Sequence, residues 1–376
     1  YVVVLWLLSG LVRGRGTPPS QPGQTESLPL VTLIVPAFNE EVVLEAKLKN
    51  SLEIDYPRER LEILVASDGS RDQTNEIASR FADQGVRLLA FEENRGKASA
   101  MNDAVREARG ELLCLCDANV MFRPDALRIL VEKLRDPAVG AATGDVRLLS
   151  ADSEFGEGES LYYRIERRIQ EYESALGSTM GVDGGMYVIR KELYRALPRD
   201  TVLDDFKTSM NVVKANRRLI YEPSAVAIEN GTPLSSDEFR RRVRVAAGAA
   251  QSVKRGDFPP PWHPFNFFAW FSHKFLRWTG PIWLVVLLAT TIALWNEGWI
   301  YRVALGCQLL VYGLTLIAWV WPALRTSRVA GVAFYFTLSH LAIAWGTIKG
   351  LFLMQSGTWK RTARTPIPGS GSPTAN

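Results

Sequence analysis

Cysteine and histidine are scarce in this chain, three of each among 376 residues. Cys114 and Cys116 lie two apart in one apolar run and Cys307 lies in another. No further Cys or His stands at ligand spacing, which excludes a disulfide framework and a Cys/His metal site. Buried free thiols remain, and they suit a reducing, cytoplasmic setting for the globular part. An excess of one charge is lacking too: 44 Lys and Arg against 40 Asp and Glu leave a net of +4. Nucleic acid is therefore not an expected partner. A basic glycine-rich loop after the first strand is also missing, since Pro36-Ala-Phe-Asn-Glu40 stands there. Nucleotidyl transfer through such a loop is excluded with it.

What is abundant is apolar residues, 47% of the chain, unevenly spread. Most of the eleven Trp lie beyond Trp262, among long uncharged runs that read as a bilayer region. The expected division is a truncated transmembrane helix at 1–12, a polar linker at 13–29, a catalytic domain at 30–255, an interfacial amphipathic segment at 256–278, transmembrane helices at 279–355, and a basic then disordered tail at 356–376. Within the last third, 281–295, 302–321 and 329–354 are apolar, and the third is expected to re-enter where Gly346 to Gly350 interrupt it.

Two apolar runs end in a carboxylate: Leu61-Glu-Ile-Leu-Val-Ala-Ser-Asp68 and Glu111-Leu-Leu-Cys-Leu-Cys-Asp117. Such runs read as buried strands whose polar residues emerge at the carboxyl end, where open α/β sheets bind ligands. Strand and helix patterns alternate from Leu30 to Cys116, which predicts an α/β fold with a doubly wound, mostly parallel sheet flanked by helices. Asp204 and Asp205 add a third acidic cluster, giving a site that holds a metal-bound phosphate ester and keeps one carboxylate as a base.

Taken singly, each motif has a plainer use, such as a turn, a helix cap or a solvated face. Their order is what carries weight. Val31-Thr-Leu-Ile-Val-Pro-Ala-Phe-Asn-Glu40, Ser67-Asp-Gly-Ser70, Asn94-Arg-Gly-Lys97, Asp117-Ala-Asn119, Asp183-Gly-Gly-Met186, Leu203-Asp-Asp205 and Arg241 to Gln251 follow one another. This series resembles the membrane-bound family 2 glycosyltransferases, the group of cellulose, hyaluronan and poly-N-acetylglucosamine synthases.

The resemblance implies a GT-A fold followed by an α-helical membrane region, and an inverting hexosyl- or N-acetylhexosaminyltransferase. The donor is expected to be a nucleotide sugar, UDP-linked, held by Pro36, Phe38, Glu40, Asp68, Lys97, Asp117, Arg241 and Arg244. Phe38 would stack on the base and Asp68 would accept from its ring N–H. Asp117 and Asn119 occupy the metal position for Mg2+ or Mn2+, with an amide where the family has a second acid. Restoring an acid at 119 is expected to be tolerated. Asp205 is the expected base, with Asp204 raising its proton affinity. Asp183, Gly184 and Gly185 would let a lipid or glycan acceptor approach.

The series departs from processive members in one place. Their Gln-x-x-Arg-Trp becomes Arg241 through Arg244-Val245, without the Trp. Transfer of one or a few sugars is therefore expected, at the cytoplasmic face of the inner membrane in a multi-pass protein. A processive synthase and a catalytically silent scaffold subunit are the alternatives, the second opposed by intact Asp68, Asp117 and Asp205.

Overall fold

The computed structural model describes residues 1–12, 28–149, 156–230 and 235–352. The expected tail at 356–376 and most of the linker lie outside the described residues.

The apolar runs become strands: β1 (Val31–Ala37), β2 (Leu61–Asp68), β3 (Val86–Phe91), β4 (Leu112–Cys116), β5 (Val120–Phe122), β6 (Val139–Leu149), β7 (Met186–Arg190) and β8 (Arg218–Asn230). They form one 8-stranded sheet in the order β3-β2-β1-β4-β7-β6-β8-β5. Pairing is parallel across β3-β2-β1-β4 and turns antiparallel where β7 enters beside β4. The expected doubly wound, mostly parallel sheet is present, parallel again between β6 and β8, with antiparallel pairings where β7 enters between β4 and β6 and where β5 meets β8. Helices flank it: α2 (Leu44–Leu52), α3 (Thr74–Ser79), α4 (Lys97–Glu107), α5 (Ala126–Lys133) and α7 (Asp204–Lys214). Strand alternation divides the core between the two faces. Val31, Leu33 and Val35 pack with Leu44, Leu48 and Leu127. Ile34 faces the other way, toward the cluster of Met101, Ala104, Met210 and Phe206.

Three further helices are α1 (Val2–Val12), α6 (Gly156–Leu176), which packs against α1 and β8, and α8 (Ser235–Lys254). The helical segment Pro264–Trp278, expected as an interfacial helix, lies on α6 with its charged side inward. Buried His273 meets Glu173 at 2.8 Å and Glu166 at 3.1 Å, and Lys274 (3.1 Å) and Arg277 (2.6 Å) also donate to Glu166. Burial raises the pKa of Glu166, but Arg277, Lys274 and His273 outweigh it and hold the carboxyl well below its usual range. The aromatics on this segment divide: Trp270 is buried, whereas Phe268 and Phe271 are exposed.

Helices Trp299–Val320 and Arg328–Phe352 are long and apolar enough to cross a membrane. Gly280–Ala293 has only 14 residues, about 21 Å at 1.5 Å per residue, too short for a hydrocarbon core of about 30 Å. It joins Pro264–Trp278 at a 68° bend. The bend therefore falls at Thr279, just ahead of the first apolar segment. The interruption expected at Gly346 to Gly350 is absent, since Arg328–Phe352 runs through both as one helix. These glycines serve contact instead: a Cβ on Gly346 would lie 2.3 Å from the Val243 carbonyl of α8, and one on Gly350 2.5 Å from that of Ala247. Half of the 18-residue apolar stretch of this helix is buried, against 11% of the corresponding stretch of Trp299–Val320.

Candidate active site

The parallel strands β2 and β4 flank β1, so their carboxyl ends lie side by side at one end of the sheet. At the end of β1, Pro36 closes the strand, Phe38 is half-buried, and Asn39 takes a left-handed φ of 53°. The Asn39 N–H donates to Ser70 Oγ (3.1 Å), and the buried Glu40 donates its N–H to Thr74 Oγ1 (2.8 Å). The tip of β1 is thus pinned to the loop after β2.

Asp68 ends β2 with no exposed surface. Its oxygens accept the backbone N–H of Arg95 (3.0 Å) and of Gly96 (2.7 Å). Asp68, expected to accept from a nucleobase, holds the 94–96 turn through these bonds. The reason is steric closeness: Gly69 has φ +70°, and a Cβ there would sit 2.5 Å from the Asn94 nitrogen. Asp68 thereby aims α4, whose first residue is Lys97.

Lys97 joins motifs that are distant in sequence. Its Nζ lies 2.9 Å from Asp117 Oδ1 and 3.2 Å from Asp204 Oδ2. Burial would lower its pKa, but Asp117 and Asp204 overcome that and raise it, so the ammonium stays charged. Asp204 and Asp205 begin α7. Asp205 Oδ1 accepts from the Phe206 N–H (2.7 Å). Burial, then the charge of Asp204, push the Asp205 carboxyl up to about 7 against the opposing Phe206 N–H and Lys97. Gly184 lies against it, since a Cβ there would be 3.3 Å from Asp205 Oδ2. Asp183 holds this loop by donating its N–H to Thr143 Oγ1 (2.9 Å) and accepting from the Gly185 N–H (3.0 Å). Its carboxyl is raised to about 6, by burial first and by Glu229 and Asp117 to a smaller degree, against Gly185 and Arg167.

The Asp117–Asn119 turn between β4 and β5 is held from below by α2. Fully buried Lys47 donates to the Val120 carbonyl (2.6 Å) and lies 3.9 Å from the Phe122 ring centre. Asn50 bonds both backbone groups of Phe122 at 2.8 Å. Asn119 is buried; its Nδ2 donates to Glu229 Oε1 (2.8 Å), and its Oδ1 has no hydrogen-bond partner among the described residues. A buried amide oxygen left over beside a carboxylate fits a hard cation, which accepts neutral oxygen. Among the described residues no group of three or more His, Cys, Asp or Glu could hold a metal by itself. An ion here would need Asp117, Asn119 and oxygens from a ligand, the pattern Mg2+ shows with phosphates.

Arg241 donates to Glu238 (2.7 Å) and Tyr163 (3.1 Å), and Arg244 is exposed. Arg242, not singled out from the sequence, bonds Glu238 and the Tyr335 hydroxyl, joining α8 to the helix Arg328–Phe352. Lys47, Thr143 and Glu229 also escaped notice. A signal existed for Glu229: Ala225-Val-Ala-Ile-Glu229 is another apolar run ending in a carboxylate.

Residues 32–197 match the family described as Glycosyl transferase family 2. The chain is 26% identical over 235 residues to the poly-beta-1,6-N-acetyl-D-glucosamine synthase of Staphylococcus epidermidis, covering 61% of this chain and 57% of that protein. The same enzyme of Staphylococcus aureus is 26% identical over 234 residues, 61% and 56% of the two chains. The chain thus spans little more than half the length of these relatives. A solved mannosyltransferase, PcManGT from Pyrobaculum calidifontis in complex with GDP-Man and Mn2+, superposes at a TM-score of 0.67 and 25% identity over 93% of this chain and 98% of that one.

Proposed function

We propose, from the match of residues 32–197 to Glycosyl transferase family 2, that the protein moves one hexosyl or N-acetylhexosaminyl unit from a UDP-sugar to a lipid or glycan acceptor, with inversion. The observation that carries this reading is Lys97, which bridges Asp117 and Asp204 and so gathers the donor end and the base end of the motif series around one ammonium. Pro36, Phe38 and Glu40 frame the nucleotide, and Asp68 acts on it through the turn it folds. Asp117 and Asn119 would hold Mg2+ or Mn2+, which supplies positive charge beside the departing diphosphate. The mannosyltransferase solved with GDP-Man and Mn2+ supports use of a divalent ion.

Asp205 takes the proton from the acceptor hydroxyl as that oxygen attacks. Asp183, Gly184 and Gly185 leave room for the acceptor beside it. Single transfer is favoured over a processive synthase because Val245 stands where those enzymes carry Trp. Arg244, exposed on α8, is free to turn toward a diphosphate. The two apolar helices and the bent pair support a multi-pass protein of the inner membrane, with 30–255 on the cytoplasmic side.

Detergent-solubilised protein incubated with a panel of nucleotide sugars and membrane lipid extract is expected to release nucleotide from one donor class. No release and no binding with any donor would overturn the reading and favour the silent scaffold.

The pH dependence follows from Asp205. A base must be ionised to act, and a carboxyl raised to about 7 is protonated below that value. kcat/KM should therefore rise as pH climbs through about 7 and be lost below it. Lys97 opposes the rise, so Lys97→Met should move the limb to higher pH whatever it does to the plateau. A limb near 4, the ordinary carboxylate position, would remove Asp205 from this role.

A further inference from the structure

We infer that Glu229 is a positioning residue for the divalent ion: its carboxylate fixes the Asn119 amide so that the oxygen, and not the NH2, faces the ion. The inference rests on the reading that Asp117 and Asn119 hold that ion.

Three observations carry it. Asn119 Nδ2 donates to Glu229 Oε1 at 2.8 Å. The other end of the same amide, Oδ1, is buried without a partner among the described residues. An amide offers donors at one end and an acceptor at the other, so a carboxylate at one end sets which end is left for something else. The third is register: Glu229 pairs with Val120 across β5 and β8, so the backbone that carries the anchor is laced to the residue after Asn119. Groups that orient a ligand in this way commonly change ion affinity by about 10–100-fold when removed.

The arrangement also explains why an amide stands at 119. A carboxylate there would meet Glu229 at hydrogen-bond distance with no proton between them, and two like charges so close resist joint ionisation. The tolerance expected for an acid at 119 is thereby reversed. Asn119→Asp adds a formal negative charge to the ion site, yet it should bind the ion more weakly while Glu229 is intact. Glu229→Gln keeps an oxygen for the Asn119 NH2 and should change little. In Asn119→Asp with Glu229→Gln, the glutamine NH2 faces the new carboxylate, and binding should return.

The test is Mn2+ binding to the detergent-solubilised full chain with UDP and with GDP in parallel, read from the free-ion signal in electron paramagnetic resonance. Asn119→Asp should raise the ion's dissociation constant tenfold or more. Glu229→Gln and the double variant should stay within about threefold of the parent. Asn119→Asp binding as tightly as the parent, or a double variant no better than Asn119→Asp, overturns the inference. Should Asn119→Asp fail to fold, Glu229→Leu decides, because it removes anchor and clash together. A tenfold or greater loss supports the anchor, and a smaller change overturns it. Asp117→Ala separates the two levels: if it leaves Mn2+ binding intact, the reading of the ion site itself falls.

Discussion

Asp205→Asn is expected to lower turnover by about 10²–10⁴ while nucleotide binding stays within a few-fold, the usual contribution of a positioned general base. The exchange keeps the shape of the side chain and an oxygen for the Phe206 N–H, but removes the proton acceptor. Asp204→Asn should cost less. It deletes one of the two carboxylates on Lys97 and the neighbour that raises Asp205, so the base ionises more readily but is weaker. Single-turnover rates beside nucleotide binding for both variants provide the check. Should Asp204→Asn be the inactive protein and Asp205→Asn the mild one, the base is Asp204.

Asp117→Ala is expected to be as severe. Charge stabilisation at a leaving diphosphate is worth several kcal/mol, about 10²–10⁴-fold in rate. The variant also strips Lys97 of its 2.9 Å partner, leaving the ammonium to Asp204 alone. Ion dependence should vanish together with activity, so added Mg2+ or Mn2+ would no longer raise the residual rate. Full parental turnover in excess chelator would sink the expectation from the other side.

Much of the catalytic half was legible in the chain because its signals are local. A β-branched run such as Val31 to Val35 has one way to be buried on both faces, and a carboxylate after it must emerge at the strand's end. Asp117 and the pair Asp204-Asp205 could be named from that pattern and from the order of the motifs. Lys97 was placed near the nucleotide, but its bridge to both acids depends on where α4 and α7 begin relative to β4. The role of Asp68 was not legible either. The same Asp-Gly reads as a ligand contact or as a turn anchor until the backbone N–H groups of Arg95 and Gly96 are seen on its oxygens.

In the C-terminal third, hydropathy marks the apolar stretches by itself, because a bilayer or a core demands the same residues. It does not say which neighbour each one meets. His273, Lys274 and Arg277 read as the wet face of an interfacial helix, yet Glu166 and Glu173, a hundred or more residues earlier, take them up. Gly346 and Gly350 read as an interruption, yet they let α8 approach. Asn119 reads as a weakened acid in the sequence, and only the fold brings Glu229, 110 residues later, within 2.8 Å of its Nδ2. Strand content, the order of the acids and the apolar stretches were determined by the sequence alone, since periodicity and burial act along the chain. The partners of Lys97, Asn119 and His273 were decided only by tertiary structure, since charge pairing acts through space between elements that share no local signal.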